Sequence, residues 1–283
     1  MSTIRNPPAK TEPETARART PRKPLARNKA SFRYGYRYQR TKLPNGRVEY
    51  EMVPLTLEDV LHPQFGDVHV LGDAHGDDCN YLKSGLKDRY VGDRSVVVLS
   101  DSGIYWDKPG LKHHSPDLAV IFGVKRRKAW DSFHVKTEKV RPSLIVEVTS
   151  RSTRVNDVKT KVEEYARAGV PHYVIADVHQ VKKKRRIRLI VYRLDGEAYQ
   201  PVPLDKQGRA WLEPVGLWLG VTTDLETGDD RLVLIDPATN EEIGDYTAVR
   251  QARDEEAERA RAAEAHVREL EAEIRRLRGE GTS

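Results

Sequence analysis

RPSLIVEVTSRSTRVNDVKTKVEEYARAGVPHYVIADV, residues 141–178, decides how this chain folds. It opens with SLIVEVT (143–149), a short apolar run of strand length. A helical segment follows. Ser152 or Thr153 can cap it, and Val155, Val158, Val162 and Tyr165 recur at helical spacing. Gly169 stops the helix as a residue suited to left-handed backbone, and Pro171 prevents its continuation. HYVIADV (172–178) is then a second strand. A strand, a helix and a strand follow one another, which is the order of a mixed α/β core.

Working outward, SVVVLS (95–100) and DLAVIFG (117–123) add strands before the unit, and IRLIVYRL (187–194) adds one after a basic turn. A helix is predicted from about Ala74 to Tyr90, although Gly76 and Gly85 weaken it, and a short one at LTLEDVL (55–61). Residues 31–55, with Phe32, Tyr34, Tyr36 and Tyr38 and an Asn45–Gly46 turn, read as an extended or hairpin lead-in. Residues 197–243 read as further β-structure, with Trp211, Leu217, Trp218, Leu232, Val233 and Ile235 buried. The expected fold class is α/β, a central mixed sheet flanked by helices. The expected organisation is a tail at 1–30, a domain at 31–243 and a long helix at 246–279. In that helix Ala260, Ala263, Val267, Leu270, Ile274 and Leu277 form a heptad seam, which makes a short coiled coil possible.

Of the 283 residues, 38% are hydrophobic, enough for a sizeable core, and 33% are charged. The net charge of +6 is located rather than spread: residues 1–30 hold eight Lys/Arg and two Glu. The remainder is close to neutral, so the overall charge says little about the folded body. That tail is too poor in large apolar residues to fold alone, and it can bind polyanions. One cysteine, Cys79, excludes an internal disulfide and a cysteine-rich zinc site and points to a reducing cytoplasm. No apolar run approaches membrane-spanning length, and the basic N-terminus lacks the apolar stretch of a secretory signal.

Two acids stand in unusual places. Asp117 opens an apolar strand after Pro116, and Glu147 sits inside SLIVEVT. A carboxylate in a buried-type strand needs a basic partner or a metal ion. Acids from adjacent strand ends can share a hard cation such as Mg²⁺. Singly, each also reads as an ordinary turn cap or ion-pair member. On a wheel of about 100° per residue, Lys159 and Lys161 flank the apolar face of the 154–168 helix on opposite sides. Asp157 lies four residues before Lys161 and can position its ammonium, which leans toward Lys161 without deciding it.

Pro116–Asp117, Glu147–Val148, Ser150, Ser152–Thr153, Asp157, Lys161, Tyr165, Gly169–Val170 and Tyr173…Asp177 together resemble the Uma-type endonuclease family, a branch of the PD-(D/E)XK nuclease superfamily. The likeness is dense over about 60 residues and looser over 55–236. It implies a restriction-endonuclease-like core and a metal-dependent endonuclease acting on nucleic acid, DNA foremost. It implies Mg²⁺ or Mn²⁺ held by Asp117, Glu147 and the Val148 backbone carbonyl, with His75 a further candidate. Lys161 would serve catalysis, by orienting or activating water or steadying the phosphate, and Ser150, Asp157 and Tyr165 would support it. The sequence departs from the superfamily in placing Thr149, not lysine, two residues after the second acid. It departs from the family in carrying Arg151 where proline is common.

His75, Asp77 and Asp78 begin the first long helix, where the superfamily often carries a polar group. KRRK (125–128) and KKKRR (182–186) lie in expected turns, and Lys125, Arg126, Lys183 and Arg185 are candidate phosphate contacts or a solvated hairpin. No base-reading element is visible. Two rival readings stay open: an inactive member that binds nucleic acid, and an interaction protein whose C-terminal helix recruits a partner. A homodimer through the sheet domain or that helix is compatible with either.

Overall fold

In the computed structural model, which describes residues 32–70, 72–126, 128–150, 153–244 and 258–271, burial on both faces explains the unbroken apolar strands. The chain enters through a hairpin, β1 (Tyr36–Lys42) and β2 (Val48–Pro54), whose turn contains Asn45–Gly46. Helix α1 (Leu57–Leu61) follows, capped reciprocally by Thr56 and Asp59. Helix α2 (Asp73–Arg89) then leads into β3 (Val97–Leu99), β4 (Gly103–Tyr105) and β5 (Leu118–Ile121). Next come β6 (Ser132–His134), a short helix α3 (Val135–Glu138) and β7 (Pro142–Val148). A π turn (Asn156–Thr160) runs directly into α4 (Lys161–Ala168). Strands β8 (His172–Val181), β9 (Lys184–Asp195) and β10 (Ala198–Val202) follow. They precede β11 (Ala210–Leu212), β12 (Leu217–Thr223) and β13 (Asp230–Ile235). Residues 258–271 form a further helix, α5.

The central sheet has the order β10-β9-β8-β7-β5-β3. It is antiparallel throughout except for the parallel pair β7–β8, which the crossover through α4 requires. Alternation sorts its side chains. Leu118, Val120, Leu144, Val146, Val174 and Leu189 face α2 and the small sheet β11-β12-β13. Ala119, Ile121, Ile145, Tyr173 and Ile175 face α4 and the parallel pair β4–β6. Helix α2 runs through both of its glycines. At Gly85 a Cβ would meet Leu234 at 3.0 Å, so glycine there lets helix and small sheet approach closely. Leu82 and Leu86 on that face are buried, and each contributes about 1.5–3 kcal/mol through burial.

Gly169 takes the left-handed conformation and ends α4, with its N–H and that of Val170 donating to the carbonyls of Ala166 and Tyr165. Two expectations fail. Trp211, Trp218 and Ile235 are not core residues: they are register partners on the outer face of the small sheet, half-buried, with the two indoles 4.9 Å apart. Leu217, Leu232 and Val233 of the expected set are buried, and the remaining core positions are Ala210, Leu212, Leu219 and Leu234, so the large size of the indoles is a poorer guide than their place in the alternation. Val155 is 54% exposed. The π turn holds about one more residue than an α turn and rotates what precedes it out of the expected face.

The basic tail at 1–30 lies outside the described residues, as do Arg151, Ser152, Ile274 and Leu277. Among the described residues no helix is long and apolar enough to cross a membrane.

Candidate active site

Strand order brings the two acids together. β5 and β7 are antiparallel with Leu118 opposite Val146, so Asp117, just before β5, meets Glu147 near the end of β7. The Val148 N–H donates to Asp117 Oδ2 at 2.7 Å, and the Asp117 N–H reaches Glu147 Oε2 at 3.4 Å. Each acid is therefore fixed by the backbone of the other's strand. Glu147 alternates with Ile145 and so faces α4, where it is 1% exposed.

The lysine comes from the crossover. Lys159 is exposed and Lys161 is 8% exposed, which resolves what the wheel could not. Lys161 Nζ lies 2.9 Å from Glu147 Oε1 and 2.8 Å from Asp157 Oδ1. The Tyr165 hydroxyl donates to the same Glu147 oxygen at 2.7 Å. The π turn makes this convergence possible by turning Asn156 and Asp157 inward. Asn156 donates its side-chain amide to the Leu57 carbonyl, and Tyr173 donates to the Asp157 carbonyl, so the turn is held from both α1 and β8. Ser150 and Thr153 bond reciprocally, each side-chain oxygen accepting from the other's backbone N–H, and Thr153 Oγ1 donates to Asp157 Oδ2. Ser150 is thus the residue that caps the start of the crossover.

Asp117, Glu147, Thr153, Asp157 and Lys161 line one cavity of about 340 Å³ with Val148, His75 and Asp101. His75 Nε2 lies 3.4 Å from Asp117 Oδ1 and 3.6 Å from Cys79 Sγ. Its Nδ1 is buried without a hydrogen-bond partner. Burial pulls the His75 pKa down, but the Asp117 carboxylate outweighs it and the net shift is upward. Burial would raise Asp117, yet His75 and Lys161 hold it below the usual range. Glu147 is pushed up to about 8 by burial, with Lys161 opposing and Asp117 and Asp157 reinforcing. Burial also raises Asp157. Lys161 loses by burial but is surrounded by Asp157, Glu147 and Asp117, and its pKa rises. It is held as an ammonium between Asp157 and Glu147.

Asp101 is a cavity residue that sequence reading did not single out. It follows β3, whose antiparallel pairing with β5 carries it to Asp117, and its N–H donates to the Pro116 carbonyl. Burial and then Asp117 raise its pKa. Its φ of 52° is left-handed, a conformation uncommon for a residue other than glycine. The sequence signal was an acid at a strand end in SDSG.

Thr149, in the superfamily's lysine position, is buried, and its hydroxyl accepts from the Val178 N–H at 2.8 Å, joining β7 to β8. Asp77 and Asp78 do not line the cavity. Asp78 is buried in an ion pair with Arg185, which removes Arg185 from the phosphate-contact candidates. Its guanidinium also donates to the Asp230 carbonyl. Lys125, Arg126 and Lys183 are exposed. The first two lie beyond the end of β5 remote from Asp117, whereas Lys183 is at the tip of the β8–β9 hairpin, which extends past the Glu147 end of β7.

The profile of the Uma2 family, described as "Putative restriction endonuclease", matches residues 65–226, more than half of the chain. The chain belongs to the Uma2 family. The matched span contains Asp117, Glu147 and Lys161. No curated protein matches the chain. Among solved structures it is similar to one titled as a "putative nuclease belonging to DUF820" from Anabaena variabilis. The identity is 14%, covering 54% of this chain and 86% of that one, with a TM-score of 0.38.

The donor set fits a divalent cation. Carboxylate oxygens of Asp117 and Glu147, the Val148 carbonyl and an imidazole are ligands that Mg²⁺ or Mn²⁺ accepts. The buried Glu147 and Asp157 and the part-buried Asp117 crowd around a single ammonium, an arrangement of acids that a cation would relieve. Among the described residues two groups of side chains lie within ligand distance of one another: His75, Cys79 and Asp117, which does not include Glu147, and His62, His114 and Glu164. The Trp106 indole N–H donates to His114 Nδ1, so His114 Nε2 carries the proton it shares with Glu164 at 2.6 Å. That hydrogen bond makes the second group a structural cluster.

Proposed function

We propose that this chain is a divalent-metal-dependent endonuclease that hydrolyses phosphodiester bonds in DNA. The observation that carries the proposal is the convergence of Asp117, Glu147 and Lys161, from two strands and a helix, at one cavity wall. The family's description as a restriction endonuclease supports DNA as the substrate. In this reading Asp117, Glu147 and the Val148 carbonyl hold Mg²⁺ or Mn²⁺, and His75 is a further ligand or orients Asp117. A bound divalent cation acidifies water and offsets charge on the phosphate.

The chain's own residues do the rest. Lys161 keeps its proton and acts as a positive group against the charge that develops on the phosphate oxygens. Asp157 and Tyr165 fix the lysine and the Glu147 carboxylate, and Ser150 fixes the turn that presents them. Lys183 contacts phosphate flanking the scissile bond. Lys125 and Arg126, at the other end of β5, serve only a substrate long enough to wrap the sheet. The catalytic unit is residues 31–243, with the segments at 1–30 and 246–279 as appendages, and the protein works in the cytoplasm.

The test incubates purified protein with plasmid and with DNA and RNA oligonucleotides, in Mg²⁺, Mn²⁺ or chelator, beside Glu147→Gln and Lys161→Met. Metal-dependent cleavage of DNA lost in both variants is the expected result. Equal behaviour of wild type and variants on every substrate would sink the nuclease reading and favour a binding protein.

A further inference from the structure

We propose that α5 pairs with the α5 of a second copy as a parallel, in-register two-stranded coiled coil. Every described residue of this helix, 258–271, is exposed, including Val267 at 53% and Leu270 at 47%. An isolated helix of this length is marginal in water, so a partner surface is what would hold it. Three features of its sequence say which partner.

The seam places Ala260, Val267 and Ile274 at heptad position a, and Ala263, Leu270 and Leu277 at position d. Beyond the alanine layer, a β-branched residue at a with leucine at d is the combination that favours parallel dimers. The flanking charges agree. In a parallel dimer each g residue meets the e residue five positions later on the other helix. Those pairs are Arg259 with Glu264, His266 with Glu271, and Glu273 with Arg278. The first and last are opposite in charge, and the middle one becomes so when the histidine is protonated. An antiparallel dimer with the same layers would keep Arg259 opposite Glu273 and Glu264 opposite Arg278, but it would set Glu271 against Glu271 and His266 against His266. Charge complementarity therefore selects a second copy, and the parallel orientation.

The arrangement has a functional consequence. Both catalytic domains precede the helix, so a parallel coil delivers them at one end. An antiparallel coil would separate them by its own length, roughly 27 Å for the 18 residues from Ala260 to Leu277 at about 1.5 Å each. Two cavities at one end are placed to act on both strands of a duplex.

The experiment uses the full chain. Sedimentation equilibrium over a hundred-fold concentration range should show a reversible dimer, and Leu270→Glu should be monomeric with an unchanged thermal melt of the core. Under mild oxidation Leu270→Cys should cross-link to itself, because d faces d in a parallel coil. Arg259→Glu should weaken the dimer several-fold, and adding Glu264→Arg should restore it. A wild type that stays monomeric, or a Leu270→Glu variant that still dimerises, overturns the proposal. Failure of Leu270→Cys to cross-link alone, with cross-linking of a Val267→Cys and Leu270→Cys mixture, overturns the parallel orientation. None of these readouts depends on nuclease activity.

Discussion

Glu147 on β7 and Asp177 on the adjacent β8 are both buried carboxylates on the α4 face of one sheet, yet they live in opposite electrical surroundings. Asp177 is held by two guanidiniums: Arg154 at 2.5 and 2.9 Å, and Arg188 at 2.8 Å. Burial would raise its pKa, but the two arginines hold it below the usual range. Glu147 shares one ammonium with Asp117 and Asp157, and burial pushes it upward. One cluster has more positive than negative charge and is complete. The other has three acids to one lysine. A protein gains little stability from the second arrangement, which supports the chemical role proposed for that cluster.

The largest effect should fall on cleavage. Lys161→Met and Glu147→Gln should each lower the rate by about 10²–10³-fold or more in a plasmid-nicking assay, while Asp177→Asn leaves the rate per folded molecule within a few-fold. Comparable losses in all three would erase the distinction between the clusters.

Stability separates them next. Without metal, Lys161→Met leaves Glu147 and Asp157 without the ammonium they share and should cost about 3–5 kcal/mol. Millimolar Mn²⁺ should recover much of that in a thermal melt. Asp177→Asn should cost about 1–3 kcal/mol, with no recovery by the cation beyond what the wild type shows.

The pH responses should run in opposite directions. Glu147 holds its proton in the folded state between its unfolded pKa and about 8, so metal-free stability should fall as pH rises through that window. The slope should be at most about 1.4 kcal/mol per unit, and Glu147→Gln should flatten it. Mn²⁺ affinity, measured by titration calorimetry, should rise over the same range as the carboxylate ionises. Asp177, with its pKa lowered, contributes stability above the ordinary carboxylate range, and that contribution disappears as pH falls through its folded value. The smallest effect is electrostatic. Lys183→Ala should reduce the salt dependence of DNA binding by about one counterion, and an unchanged slope would remove the hairpin tip from the interface.

Most of the frame was legible because both faces of the sheet are buried. SLIVEVT and DLAVIFG read as strands without any tertiary knowledge, and an acid inside or beside such a run is conspicuous. What stayed hidden depended on phase or on partners far along the chain. Trp211 and Trp218 are large enough to suggest a core, but alternation puts them outside. Arg185 sits in a basic run that reads as solvent-exposed, and only the distant Asp78 reveals its burial. Asp101 needed the pairing of β3 with β5 to be placed. The choice between Lys159 and Lys161 turned on a π turn that regular helical geometry does not anticipate.

That π turn also makes the site sensitive to counting. A chain that kept every side chain of the site but lost one residue between Asn156 and Thr160 would regain regular helical winding. The segment before the deletion would swing by about 100° relative to α4, and Asp157 could no longer share the lysine with Glu147. On the proposed nuclease reading such a variant would be inactive although a residue-by-residue inventory would score it intact, so the spacing from Ser150 to Lys161 matters as much as the identities it separates.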